Sequence, residues 1–216
     1  MRNGSMTNVI FIHGLGQTPA SWDKTVSSLS EYITADYVNL SSICKNGEVT
    51  YKNLYCAFEK YCEIVEPLNL CGISLGAILA LNYAIDHTEK VWSLVLIAPQ
   101  YEIPRLLLKL QNIIFFFMPK AYFQKLGFTK KEFICLVNSM LDLDFRNDLS
   151  NISCTTLVIC GEKDKANRKS AIGLANSISM SDLHLIKNAG HEVNIEVPNK
   201  LAAILKSFYF SCPFLI

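Results

Sequence analysis

The sequence predicts an α/β fold, a parallel sheet with helices on both faces, and three observations carry that expectation. Strand and helix signals alternate from one end of the chain to the other. Several strand signals are short continuous apolar runs, the pattern of strands buried on both faces rather than one. Helical stretches follow the runs that end at Ile12, Cys71 and Ala98, as a parallel sheet with crossover helices requires.

Taken in order, Asn8-Val9-Ile10-Phe11-Ile12 is the first buried strand, and it stops at His13-Gly14-Leu15-Gly16. Ala20 to Tyr32 reads as a helix and Ala35 to Leu40 as a weaker strand. Thr50 is placed to cap a helix running to about Val65, with Leu54, Ala57, Phe58, Tyr61 and Ile64 at helical spacing, and Pro67 ends it. Leu68 to Cys71 is the next strand, followed by a helical stretch, Ala77 to Ala84. Trp92 to Ala98 and Thr156 to Cys160 are further buried strands. Asp182-Leu183-His184-Leu185-Ile186 alternates, which predicts a sheet edge, and Pro198 to Phe210 closes the chain as a helix.

Composition narrows the class. The chain has 216 residues, half of them hydrophobic and 18% charged, enough for one domain with a sizeable core. Its net charge of +1 gives no general reason to expect a nucleic-acid or anionic-membrane partner. Eight scattered cysteines without C-x-x-C spacing argue against a disulfide scaffold or a zinc site and for a reducing, cytoplasmic setting. No secretory signal is visible, and Gly4-Ser5 ahead of Met6 reads as an added leader. The most apolar segment, Leu106 to Met118, is too short to span a bilayer. No motif calls for a metal or organic cofactor, so the expected partner is a small-molecule substrate.

More than fifty mainly helical residues separate the strands ending at Ala98 and beginning at Thr156, too many for a simple loop. Residues 100–153 are therefore expected to form a helical lid between two parts of one core, 7–99 and 154–210. The apolar residues of this insertion either pack it onto the body or line a pocket beneath it.

Chemistry concentrates at Gly72-Ile73-Ser74-Leu75-Gly76. A G-x-S-x-G pattern between strand and helix is a nucleophile elbow, a turn so sharp that its serine is strained and exposed at the top of the sheet. A serine hydroxyl needs a base, and the chain has only four histidines. His87 sits at a helix end and His184 in an alternating strand. His13, in the loop after the first strand, suits a structural or site-lining role. His191, just beyond the last strand, lies at a carboxyl end, on the same side of the sheet as Ser74. Asp164 follows the strand ending at Cys160 and can orient His191, whereas Glu162 and Glu192 are expected to be structural or exposed. The backbone N–H groups of Leu75 and Leu15 are placed to serve as oxyanion donors.

These stretches resemble the α/β-hydrolase fold superfamily, in its small lidded branch of serine esterases and related enzymes. The matching residues are Val9 to Gly16 with Trp22 downstream, Gly72 to Gly76, Leu157 to Asp164, and Gly190-His191-Glu192 with Glu196 and Pro198. The resemblance implies Ser74 as nucleophile, His191 as general base and acid, Asp164 as orienter, and Leu15 and Leu75 as oxyanion donors. Substrate contacts are expected at His13, Gly14, Trp22, Tyr101 and Phe116. Two departures are visible: the chain begins at the His13-Gly14 strand, which implies a reduced sheet of about six parallel strands, and Thr155 stands where a proline often precedes the Asp strand.

The expected activity is hydrolysis of a small, apolar carboxylic ester through an acyl-Ser74 intermediate. The same fold and triad also serve thioester, amide and C–C cleavage and lyase reactions, and a non-catalytic ligand receptor is a further alternative. The apolar ending, Phe208 to Ile216, could pack on the body, join a homodimer or fray.

Overall fold

The computed structural model describes residues 6–44, 47–63, 68–103 and 114–211. Residues 1–5, Pro67, Leu106 to Ile113 and residues 212–216 of the apolar ending lie outside the described residues.

Six strands form one sheet: β1 Thr7–Ile12, β2 Ile33–Val38, β3 Leu68–Ile73, β4 Val91–Ile97, β5 Thr155–Gly161 and β6 Ser181–Ile186. Their spatial order is β2-β1-β3-β4-β5-β6, and every neighbouring pair is parallel. The central strands are largely apolar because helices cover both faces; β3 is buried at all six positions, Asn69 included. Strand β6 is at an edge, as its sequence implies, but four of its six residues are exposed, so the alternation does not sort them into buried and open faces.

One face carries α2 Leu40–Ile43, α3 Tyr51–Cys62, α4 Leu75–Asp86 and α7 Arg168–Ser177, packed on Ile10, Ile12, Leu70, Leu94, Leu96 and Val158. The other carries a 3-10 turn at Pro19–Trp22 with α1 Asp23–Ser27, α8 Val193–Glu196 and α9 Pro198–Ser211, packed on Val9, Phe11, Ile73, Val95 and Ile159. Thr50 caps α3 as expected, its hydroxyl accepting from the Asn53 N–H. The helix expected over Ala20 to Tyr32 is much shorter. Ser27 and Ser30 hydroxyls donate to the carbonyls of Lys24 and Ser27, and the Leu29 and Tyr32 amides bond three residues back, so the segment breaks into tight turns.

Between β4 and β5 the insertion contains a helical turn at residues 114–117, then α5 Lys120–Lys125, α6 Lys130–Ser139 and a 3-10 turn at Leu149–Asn151. Its neck is an antiparallel bridge between Glu102 and Asp144, with the Phe145 N–H donating to the Tyr101 carbonyl at 2.8 Å. Thr129 and Glu132 form a reciprocal capping box at the start of α6. Phe123, Phe133, Leu136 and Val137 are essentially fully buried and join the core on the α4 side. Packing onto the body is therefore one job of these apolar residues. Among the described residues no helix is long and apolar enough to cross a membrane.

Candidate active site

The strand order reverses direction between β1 and β3, and there the loops leaving their carboxyl ends open a crevice. The loop His13–Gly16 leaves β1, and Ser74 leaves β3 as the residue capping α4. The two meet closely: a Cβ built on Gly14 would stand 3.3 Å from the Ser74 Cβ. Asp164 follows β5 and His191 follows β6, so all four groups gather on one side of the sheet.

Ser74 has φ +55° and ψ −115°, a left-handed conformation that an L-residue other than glycine rarely adopts. Ala98 (φ 48°) and Asn188 (φ 65°) share that region, and both also lie just past strand carboxyl ends, β4 and β6. Among the described residues, positive φ at non-glycine positions occurs only on the loop side that carries the chemistry. The flanking glycines show why the turn closes. A Cβ on Gly72 would run into the backbone of Gly76, and one on Gly76 into the Ile12 carbonyl. Packing holds the strain; the Ser74 N–H donates to the Ile97 carbonyl at 2.9 Å, and the Ser74 carbonyl accepts from Ile78 at 3.0 Å.

His191 and Asp164 are joined, Nδ1 to Oδ2, at 2.7 Å. Asp164 is 7% exposed, while the His191 side chain is 41% exposed. Burial pushes the Asp164 carboxyl up, but hydrogen bonds from His191 and Asn167 outweigh it and hold the group below the usual carboxylate range. The depressed pKa keeps Asp164 ionised, an acceptor for the His191 Nδ1–H. Ser74 Oγ makes no hydrogen bond to His191 or to any other described residue; such contacts commonly tighten only with substrate in place.

Asn167, which the sequence does not single out, completes this group. Its Nδ2 lies 2.9 and 2.8 Å from the two Asp164 oxygens, and its Oδ1 accepts from Gln100 Nε2 at 2.6 Å, which fixes the orientation of the amide. The 3.0 Å approach of Asn167 Nδ2 to His191 Nδ1 is then two donors converging on one carboxylate.

Gln17 was also missed. It is 7% exposed and ties the Gly14 loop to the His191 loop. Its Oε1 accepts from the Gly14 N–H (3.3 Å), Ser21 Oγ (3.2 Å) and Asn194 Nδ2 (3.1 Å); its Nε2 donates to Glu192 Oε1 (2.9 Å) and Asn194 Oδ1 (3.3 Å). The Gly14 carbonyl accepts from Gln17 N (3.1 Å) and His13 Nδ1 (2.9 Å). In a trans peptide the following N–H points the opposite way, so these bonds fix the direction of the Leu15 N–H. Neither Leu15 N–H nor Leu75 N–H, the first of α4, has a partner among the described residues.

The remaining expected contacts are divided. His13 is 3% exposed, and its Nε2 accepts from the Leu40 N–H at 3.3 Å, so both ring nitrogens hold backbone. Burial pushes its pKa down against a smaller opposite effect of the Gly14 carbonyl, and the ring is neutral. Trp22 is fully buried against Phe11, with ring centroids 5.1 Å apart, on the face opposite α4, and has no surface to offer a substrate. Tyr101 is half-buried with its ring against Gly173 of α7. Phe116 is 67% exposed and lies against Phe117 and Lys130 rather than over Ser74. Tyr122 of α5 reaches the site instead, its hydroxyl 3.5 Å from where a Gly16 Cβ would stand.

Residues 9–204 match the model of the alpha/beta hydrolase family. The chain is 27% identical to monoacylglycerol lipase ABHD6 of Mus musculus over 67% of its own length, and it spans about half (49%) of that protein. It is 30% identical to the pimeloyl-[acyl-carrier protein] methyl ester esterase of Aeromonas hydrophila over 45% of the chain and 39% of the esterase. Among solved structures, MenH from S. aureus superimposes with a TM-score of 0.79 at 16% identity, covering 97% of this chain and 96% of MenH. The family match covers both halves of the sheet and every strand from β1 to β6, and the chain belongs to the alpha/beta hydrolase family.

Proposed function

We propose that this chain is a serine hydrolase that cleaves a small, apolar carboxylic ester, with Ser74 as nucleophile, His191 as base and acid, and Asp164 as its orienter. The observation that carries the reading is the strained Ser74 turn, on the same side of the sheet as a His191 whose Nδ1 is held at 2.7 Å by the Asp164 carboxylate. The names of the relatives, a monoacylglycerol lipase and a methyl ester esterase, agree with an ester substrate.

In this reading His191 Nε2 takes the proton of Ser74 Oγ as the oxygen bonds to the ester carbonyl carbon. The carbonyl oxygen becomes an oxyanion, met by the unpartnered Leu15 and Leu75 N–H groups, each worth on the order of 3 kcal/mol in the transition state. Collapse breaks the C–O bond, and His191 returns the proton to the departing alcohol. Water, deprotonated by His191, then releases the acid and restores Ser74. The 100–153 insertion serves as the lid over this site, with Tyr122 reaching Gly16 and Phe115 and Met118 turned toward the same face of the body. Tyr101 and Gly14 remain the substrate-lining residues of the reading; His13 supports the loop. Free thiols at all seven described cysteines suit a reducing cytoplasm.

A panel of p-nitrophenyl esters of increasing acyl length tests the chemistry and the pocket together. Turnover that peaks within the series and vanishes in Ser74→Ala supports the reading. Turnover confined to thioesters, or unchanged in Ser74→Ala, overturns it.

A further inference from the structure

Charge is unevenly distributed along this nearly neutral chain. Between Glu102 and Glu132 the sequence holds six cations (Arg105, Lys109, Lys120, Lys125, Lys130 and Lys131) and not one acid. The full chain has 20 Lys and Arg against 19 Asp and Glu, so the remainder holds 14 cations and 19 acids and is net negative. The net charge of +1 conceals a basic insertion on an acidic body, an asymmetry of the kind found in proteins that meet anionic surfaces.

The same segment carries the two most exposed aromatic side chains of the described structure, Phe117 (80%) and Phe116 (67%), with Ile114 beside them at 62%. Their neighbours turn the other way: Phe115 makes edge contacts with Phe123 (6.2 Å) and Phe133 (4.9 Å), and both of those are buried. The segment is thus two-sided, with one set of rings fastening it to the body and a second set facing out. The outward turn is anchored, because Lys130 Nζ donates to the carbonyls of Phe116 and Met118 and lies 5.4 Å from the Phe116 ring centroid. Lys120, Lys125 and Lys131 are exposed around it.

We propose that this face of the insertion docks on an anionic lipid surface, Ile114, Phe116 and Phe117 entering the headgroup boundary while Lys120, Lys125 and Lys131 meet the lipid anions. Apolar tips on a segment that holds lysines and no acid between Glu102 and Glu132 have the composition of an interfacial segment. Neither half suffices alone, since a few lysines bind weakly and are screened by salt, and two or three rings bury little area. Charge complementarity selects an anionic surface, and the protruding rings favour lipid over an acidic protein, which would answer the lysines and leave Phe117 uncovered. The docking face is distinct from Ser74, so its failure and the failure of the hydrolase reading are separable.

Flotation of the full chain with vesicles tests this directly, comparing phosphatidylcholine alone with phosphatidylcholine holding about 30 mol% phosphatidylserine, the type of anionic lipid that attracts polybasic segments. Binding to the mixed vesicles is expected to be at least about tenfold stronger than to phosphatidylcholine and to fall in high salt. The pair Ile114→Ser and Phe117→Ser should weaken it about tenfold or more while turnover of a soluble short ester stays unchanged. Lys120→Glu, Lys125→Glu and Lys131→Glu together should abolish the preference for the anionic vesicles. Absence of binding to the mixed vesicles, binding indifferent to both sets of substitutions, or retention on an acidic carrier protein but not on vesicles would each overturn the proposal.

Discussion

Gln17 and Glu192, 175 residues apart in sequence, are joined by a hydrogen bond of 2.9 Å from Nε2 to Oε1. Through the other end of the same amide, Gln17 holds the Gly14 N–H, so one buried side chain sets the spacing between the loop bearing Leu15 and the loop bearing His191. Glu192 therefore has a structural role of its own, as does Glu162, which accepts from the Asn188 N–H at 3.1 Å.

Replacing Gln17 by Ala strands the Gly14 N–H and the Asn194 Oδ1 in a buried setting, while Asn194 Nδ2 keeps the Ser21 carbonyl, at a cost of about 1–3 kcal/mol. If the loop's aim matters to the transition state, kcat should fall about 10- to 100-fold with KM changed little. Ester kinetics of Gln17→Ala beside wild type check this, and a change confined to KM would contradict it.

Asp164→Asn should preserve the fold, because Asn can still accept from the Asn167 amide, yet it favours the tautomer with the proton on Nε2 of His191. A loss of roughly 10⁴ in kcat is expected, by the logic of a triad whose orienter no longer fixes the tautomer. Circular dichroism verifies the fold, and kcat near the wild-type value would remove Asp164 from the mechanism.

The glycines of the Ser74 turn and of the His191 loop should respond differently to a methyl group. Gly76→Ala drives its Cβ into the Ile12 and His13 carbonyls, fixed backbone that cannot yield cheaply, so a destabilisation of more than about 3 kcal/mol is expected. A Cβ on Gly190 meets first the carboxylate end of Glu196, a side chain that can swing aside at the loss of its bonds from the Gly190 and Glu192 N–H groups, so Gly190→Ala should cost about 1–2 kcal/mol. Urea unfolding midpoints of the two variants decide the order.

His13 gives stability a pH signature. Its folded pKa is below the ordinary 6.5, so between the two values the unfolded chain binds a proton that the folded chain does not. Its contribution is complete above 6.5 and is lost as pH falls through 6.5 toward the folded value. Asp164 acts in a lower window: its stabilisation is present above 3.8 and disappears as pH drops through its depressed folded pKa. Tm measured between about pH 8 and pH 5 should fall on the acid side, and His13→Gln should flatten that fall while lowering Tm throughout. A slope unchanged in the variant would show that His13 is not its source.

What the sequence reveals of this molecule is what it encodes locally. The Ser74 turn is legible because two glycines, a strand and a helix lie within a dozen residues, and the sheet is legible because strands buried on both faces have unbroken apolar runs. Asp164 and His191 follow from chain order and strand ends. Gln17 and Asn167 do not, since their significance lies in partners brought near only by the finished fold. Trp22 was expected near the substrate, and its full burial against Phe11 comes from the 3-10 turn at Pro19, which rotates the ring under the sheet's opposite face. The basic character of the insertion is not legible in the whole-chain net charge, which averages it away.

The central claim is that Ser74 is an activated nucleophile, and intact-mass spectrometry after exposure to a fluorophosphonate tests it most directly. Wild-type protein should gain a single phosphonyl adduct that peptide mapping assigns to Ser74, His191→Ala should gain it far more slowly, and Ser74→Ala should gain none. An unlabelled wild type under conditions that label a control esterase, or an adduct that persists in Ser74→Ala, would contradict it.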